Sequence, residues 1–77
     1  MAVNSKRIER DERRFGSIAI DKGFISLDDL IKALVLQVQE EILKGTHRLI
    51  GEILFDLNIM TAIQIEEVLK EMFEHES

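Results

Sequence analysis

Apolar side chains recur at helical spacing in two long stretches of this chain. After Ser26 they fall at Leu27, Leu30, Ile31, Leu34, Val35, Val38 and Ile42, and after Thr61 at Ala62, Ile65, Val68, Leu69, Met72 and Phe73. Each stretch follows a hydroxyl residue with a polar side chain three positions later, the pattern of a capping box. The sequence therefore predicts two amphipathic helices, each with its main apolar stripe facing a shared core.

The stop signals between these stretches predict two further helices. Gly45 lies where the first long helix should end, because glycine adopts the left-handed cap conformation without steric cost. Gly23 and Asn58 stand where two shorter helices should stop. We therefore predict an all-α fold with helices at 6–22, 27–44, 47–57 and 62–75.

The chain also contains an internal repeat with an offset of 35 residues. Residues 16–37 align with residues 51–72 without a gap, and the alignment preserves caps, stops and apolar positions. Each copy reads as a short helix, a turn and a capped longer helix, which is an αα-hairpin. Neither hairpin could bury its apolar face alone, so we predict one compact four-helix domain over 13–77. It is preceded by a charged extension at 1–12, whose second half falls within the first predicted helix.

Composition narrows the possible functions. The 77 residues carry a net charge of −5 and contain no Cys, Pro, Trp or Tyr, which excludes disulfides and thiolate metal sites. The longest apolar run, residues 33–36, is far too short for a membrane helix, so we expect no membrane insertion and a cytoplasmic location. The basic residues near the N-terminus alternate with acids and lack aromatic neighbours, which favours a solvated helix over nucleic-acid binding.

The first repeat carries a pattern that is similar to a known bacterial module. It runs Arg14-Phe15-Gly16, continues through Gly23-Phe24-Ile25-Ser26, and ends with Leu30, Leu34 and Gln37. The second copy begins at Arg48-Leu49-Ile50-Gly51 and ends with Ile65 and Leu69. Together the copies resemble the N-terminal accessory domain of type II secretion and type IV pilus assembly ATPases, including its MshEN-type variant.

This resemblance implies a helical, non-catalytic module that docks an ATPase onto membrane-platform proteins. In the MshEN-type variant the module binds cyclic di-GMP. The matching positions imply nine candidate ligand residues: Arg14, Phe15, Gly16, Leu34, Gln37, Arg48, Leu49, Gly51 and Leu69. Two positions depart from the pattern, because Ile50 stands between Leu49 and Gly51 and Met72 replaces the closing glutamine.

Few other residues of the sequence could catalyse a reaction or bind a metal. We therefore expect no enzymatic activity and no bound cofactor or metal. His47 and His75 are far apart in sequence, and no phosphate-binding loop motif occurs. The glycines that head the repeats, Gly16 and Gly51, have two interpretations: close helix packing, which is the commoner reason for glycine inside a helix, or close approach of a ligand.

A protein partner has better support from the sequence. Leu36 and Leu43 project from the second helix nearly opposite its main stripe, and a core of this size is marginally stable on its own. We therefore predict a homodimer seam or a groove for another protein at these leucines. The resulting expectation is an adaptor or regulatory module in a bacterial secretion, pilus, motility or signalling system, with a cyclic di-GMP receptor as the alternative.

Overall fold

Helices are the regular secondary structure in the part of the chain that the computed structural model describes. This part comprises the backbone of residues 5–74 and the side chains of residues 11–74. Its four helices are α1 (Ser5–Asp21), α2 (Leu27–Lys44), α3 (Ile50–Asp56) and α4 (Ala62–Glu74). The predicted all-α, four-helix fold is confirmed.

Helices α2 and α4 start at the predicted caps. The Ser26 hydroxyl accepts a hydrogen bond from the Asp29 N–H at 3.1 Å, and the Asp29 carboxylate accepts one from the Ser26 N–H at 3.0 Å. Thr61 and Gln64 exchange the equivalent bonds at 3.1 and 3.0 Å at the start of α4. Each box satisfies N–H groups that have no partner within the helix.

The turns after α1 and α3 are built alike. Gly23 has φ +78° and Asn58 has φ +61°, so both adopt the left-handed conformation that lets the chain leave a helix. The next N–H in each turn donates back to the preceding helix, from Phe24 to Ala19 at 3.0 Å and from Ile59 to Leu54 at 2.9 Å. Donors and acceptors of the two turns are each separated by 35 residues, which is the offset of the sequence repeat.

Buried positions of the core also recur at the offset of 35 residues. Most contacts between helices join α2 to α3, α1 to α4 and α1 to α3, so each half of the chain packs mainly against the other half. Five pairs of residues separated by 35 positions are buried at both members: Phe15 and Ile50, Ala19 and Leu54, Ile25 and Met60, Ala33 and Val68, and Gln37 and Met72. Ile50, which interrupted the family motif, is thus the core counterpart of Phe15.

The third helix is shorter than predicted. Helix α3 begins at Ile50 rather than at residue 47, and residues 46–49 form an irregular connection. Gly45 ends α2 in a left-handed turn, and Leu49 has extended backbone angles of φ −71° and ψ 151°. Side chains cap the new helix at this point, because Glu52 accepts from the Leu49 N–H and Glu12 from the Ile50 N–H.

The orientation predicted for α2 is wrong over most of its main stripe. Leu30 and Leu34 do pack against the core, but the other five members lie on the outward face with 48% to 76% of their surface exposed. We call these five residues the α2 strip: Leu27, Ile31, Val35, Val38 and Ile42. Leu36, predicted to face outward, packs against the core instead. Because α2 carries apolar residues on both sides, helical periodicity alone could not choose the inward side.

Candidate functional site

An apolar cavity of about 290 Å³ lies between α1, the start of α3 and the end of α4. Its walls include the buried side chains of Phe15, Ile50 and Met72. More exposed apolar side chains complete the lining: Leu49, Leu69 and Phe73.

Three carboxylates also line this cavity. They belong to Asp11 and Glu12 of α1 and to Glu52 in the first turn of α3. Glu12 and Glu52 already accept backbone N–H groups at the start of α3. The cavity therefore combines an apolar interior with negative charge, a combination that suits apolar or cationic groups better than anions.

Four of the nine candidate ligand residues meet at this cavity. Phe15 comes from the first repeat, and Leu49, Gly51 and Leu69 come from the second. The remaining five lie outside its lining: Arg14, Gly16, Leu34, Gln37 and Arg48. The structure thus brings together three of the apolar side chains and one glycine, but not Leu34, the arginines or the amide.

Both repeat-head glycines are packed against side chains. A Cβ atom on Gly16 would lie 2.7 Å from Leu30 Cδ1, and one on Gly51 would lie 3.2 Å from Phe15 Cζ. Real Cβ atoms rarely approach other heavy atoms so closely. These contacts support the packing interpretation at both positions.

Gln37 belongs to a buried polar network. Its side-chain Nε2 donates to both carboxylate oxygens of Glu12, at 2.9 and 3.0 Å, and to the Arg48 carbonyl at 2.8 Å. Glu12 Oε1 also accepts the Ile50 N–H at 3.2 Å. Glu12 and Gln37 are 9% and 6% exposed, so the network joins α1, α2 and the start of α3 inside the core. The Gln37 amide nitrogen is therefore already engaged within the fold.

Arg48 makes a two-sided ion pair outside the cavity. Its Nε and Nη2 donate to the two carboxylate oxygens of Glu40 at 2.9 and 2.7 Å, and its Nη1 donates to Asp56. The hydrogen bond from Arg48 holds the pKa of Glu40 below its usual value. The same contact raises the pKa of Arg48. Two carboxylates therefore balance this guanidinium, which joins the end of α3 to α2.

His47 lies between two further carboxylates. Its Nδ1 is hydrogen-bonded to Glu41, and its Nε2 lies 3.5 Å from Glu12 Oε2. The hydrogen bond with Glu41, followed by the charges of Glu12 and Glu41, raises the pKa of the imidazole. Sequence reasoning missed this cluster and the role of Glu12. Glu12 lies 35 residues before His47, and its charged neighbours in the sequence favour a solvated extension instead.

The predicted partner leucines differ in exposure. Leu43 is 80% exposed near the end of α2, whereas Leu36 is partly buried against the core. The α2 strip offers a larger outward apolar surface than this pair. His75, the other histidine of the sequence, lies outside the described residues.

Within the described residues, no three His, Asp or Glu side chains are grouped so that they could hold a metal ion. None of the helices in that part of the chain combines the length and apolar character needed to cross a membrane. Comparisons of the chain with protein families, with curated proteins and with solved structures return no match. Function is therefore inferred from the fold, the apolar cavity and the α2 strip.

Proposed function

We propose that this chain is a non-catalytic adaptor or regulatory module that binds another protein chain through the α2 strip. The observation that carries the proposal is the row of five exposed aliphatic side chains along one helix. A bacterial secretion, pilus, motility or signalling assembly is the setting proposed from the resemblance of the repeats.

The internal repeat provides a comparison for the α2 strip. At the offset of 35 residues, Ile31 corresponds to Glu66 and Val35 to Lys70, and all four side chains are exposed. The buried positions of the two repeats match, so the same core design accommodates polar residues on the outer face of α4. Ile31 and Val35 are therefore not needed for the core, which supports a role in binding.

The amount of apolar surface is sufficient for a specific contact. Complete burial of one Val, Leu or Ile side chain contributes about 1.5–3 kcal/mol, and the strip residues still expose about half or more of their surface. Covering all five would contribute about 5 kcal/mol from this chain alone. A matching apolar face on the partner would offset the entropy lost on association, which favours affinities of about micromolar strength.

Photo-cross-linking in cells that express the chain natively tests this proposal. A photoreactive benzoylphenylalanine replaces Val35 in one variant and Lys70, its counterpart on α4, in the control. We expect a discrete protein adduct from the Val35 position only, identified by mass spectrometry and reproduced with the purified chains. Equal adducts from both positions, or none from either, would overturn the docking role of the strip.

A cyclic di-GMP receptor is the second candidate function. Its support is the cavity, which brings together Phe15 from the first repeat and Leu49, Gly51 and Leu69 from the second. Apolar walls of this kind could stack against purines. The three carboxylates of the lining oppose a ligand with two phosphates, and Arg48 is already paired with Glu40 and Asp56. The adaptor proposal is therefore the better supported of the two.

Thermal denaturation with and without cyclic di-GMP separates the two functions. A receptor gains stability because the ligand binds only the folded state, by about 2.7 kcal/mol at a hundredfold excess over Kd. Leu69→Glu adds a charge at the cavity edge and should abolish that gain, whereas Ile63→Glu, at an exposed position outside the lining, should preserve it. An unchanged melting temperature at high micromolar nucleotide would rule out the receptor.

A further inference from the structure

We propose that the occupant of the α2 strip is α2 of a second copy of this chain, bound antiparallel across a twofold axis. This inference rests on the proposed function, because it names the partner of the same surface. The resulting assembly is a dimer in which the strips cover each other.

The spacing of the strip matches a helix-pairing seam. Ile31, Val35, Val38 and Ile42 are separated by four, three and four residues, the alternation of d and a positions in a heptad. All four are β-branched and exposed. In an antiparallel pair centred between Val35 and Val38, Val35 of one copy packs against Val38 of the other, and Ile31 packs against Ile42. The seam is therefore self-complementary, as a twofold interface requires.

The charges at the ends of α2 favour the antiparallel orientation. Asp28 and Asp29 occupy the first turn, and Lys44 occupies the last turn. An antiparallel pair in this register places Asp29 of each helix opposite Lys44 of the other and opposes the two helix dipoles. Glu41, which also lies in the last turn, is hydrogen-bonded to His47 of its own chain. A parallel pair would place the four aspartates at one end. The pairing of Asp29 with Lys44 and the opposed dipoles thus favour the antiparallel orientation.

The size of the strip limits the strength of the dimer. An α-helix of 18 residues is about 27 Å long and about 10 Å wide. One such face buries less than the roughly 800 Å² per partner of a standard stable interface. We therefore expect a concentration-dependent dimer, with a dissociation constant of about tens of micromolar. Because each copy uses a single strip, association stops at two copies.

Sedimentation equilibrium at about 10 µM and about 500 µM tests self-association. The mean mass should rise from the monomer value of 8.9 kDa toward twice that value. Ile42→Lys should lower the association constant at least tenfold, whereas Ile63→Lys should leave it unchanged. Ile42 and Ile63 are 76% and 68% exposed, so the substitution is matched in chemistry and exposure, and helical circular dichroism verifies that both variants fold.

Disulfide trapping tests the orientation, since the natural chain has no cysteine. Ile31→Cys and Ile42→Cys variants of different mass are mixed and oxidised gently. The antiparallel pair predicts mainly the mixed disulfide between the two variants. A predominance of disulfides within each variant would overturn the antiparallel arrangement.

The outcomes separate this inference from the proposed function. A wild-type chain that stays monomeric at about 500 µM overturns the second copy as partner. A dimer that survives Ile42→Lys unchanged overturns the strip as its interface. In either case, a cellular adduct between the Val35 position and a different protein would leave the proposed docking function intact. If the chain neither dimerises through the strip nor forms such an adduct, both proposals are wrong.

Discussion

Replacing Gln37 with methionine tests whether the buried polar network stabilises the fold. Gln37 is 6% exposed, and its counterpart in the second repeat, Met72, is buried to the same extent. The Gln37→Met substitution thus places in the first repeat the side chain that the second repeat already uses. It removes the side-chain amide that donates hydrogen bonds to the Glu12 carboxylate and to the Arg48 carbonyl.

The expected loss follows from these two acceptors. A hydrogen bond to a charged group contributes about 1.5–3 kcal/mol, and one to a neutral carbonyl about 0.5–1.5 kcal/mol. The additional apolar surface of methionine returns about 1 kcal/mol. The net loss in unfolding free energy is then about 1–3.5 kcal/mol. For a domain of this size a loss of about 2 kcal/mol lowers the melting temperature by about 8–16 °C.

Urea and thermal denaturation followed by circular dichroism measure this loss. Gln39→Met is the matched control, because Gln39 lies on the same helix and is exposed. Substitution there should change the unfolding free energy by less than about 0.5 kcal/mol. If Gln37→Met is no more destabilising than this control, the network contributes nothing to stability and our account of the inward face of α2 is wrong.

Three further predictions concern the turns, a cap and pH. Gly23→Ala should cost about 1–2 kcal/mol because Gly23 is left-handed, whereas Asn58→Gly at the equivalent turn should leave the denaturation midpoint unchanged or raise it. Ser26→Ala should cost about 1 kcal/mol and lower the melting temperature of the domain by several degrees, since it removes the N-cap acceptor of α2. The raised pKa of His47 means that the stability from its pairing with Glu41 is complete below about pH 6.5 and is lost as pH rises through the higher folded-state pKa. The urea midpoint of wild type should therefore fall more than that of His47→Gln between about pH 5.5 and pH 8.5; parallel curves would contradict the assignment.

Much of the fold could be predicted because its signals are local. The hydroxyl caps at Ser26 and Thr61 and the left-handed stops at Gly23 and Asn58 act within a few residues, and the structure confirms all four. The start of α3 could not be predicted in this way. It depends on Glu12, which lies 38 residues before the N–H of Ile50 that it caps.

The candidate site was predictable only in part for the same reason. The family resemblance supplied Phe15, Leu49, Gly51 and Leu69, which do meet at one cavity. It also implied Gln37 and Arg48 as ligand residues, but both side chains form hydrogen bonds or ion pairs within the fold. Residue identity at matching positions does not reveal which acids a side chain meets, since Glu12 and Glu40 lie on other elements.

The amino-acid sequence by itself determined the four-helix class, the caps and turns, and the offset of 35 residues at which buried positions recur. These follow from helical periodicity and from hydrogen bonds between near neighbours. Only the tertiary structure decided which side of α2 faces inward. Both sides of that helix are apolar, so the choice depends on the fit of Ala33 and Gln37 against the core and the bonding of Gln37 to Glu12, and it leaves the α2 strip exposed.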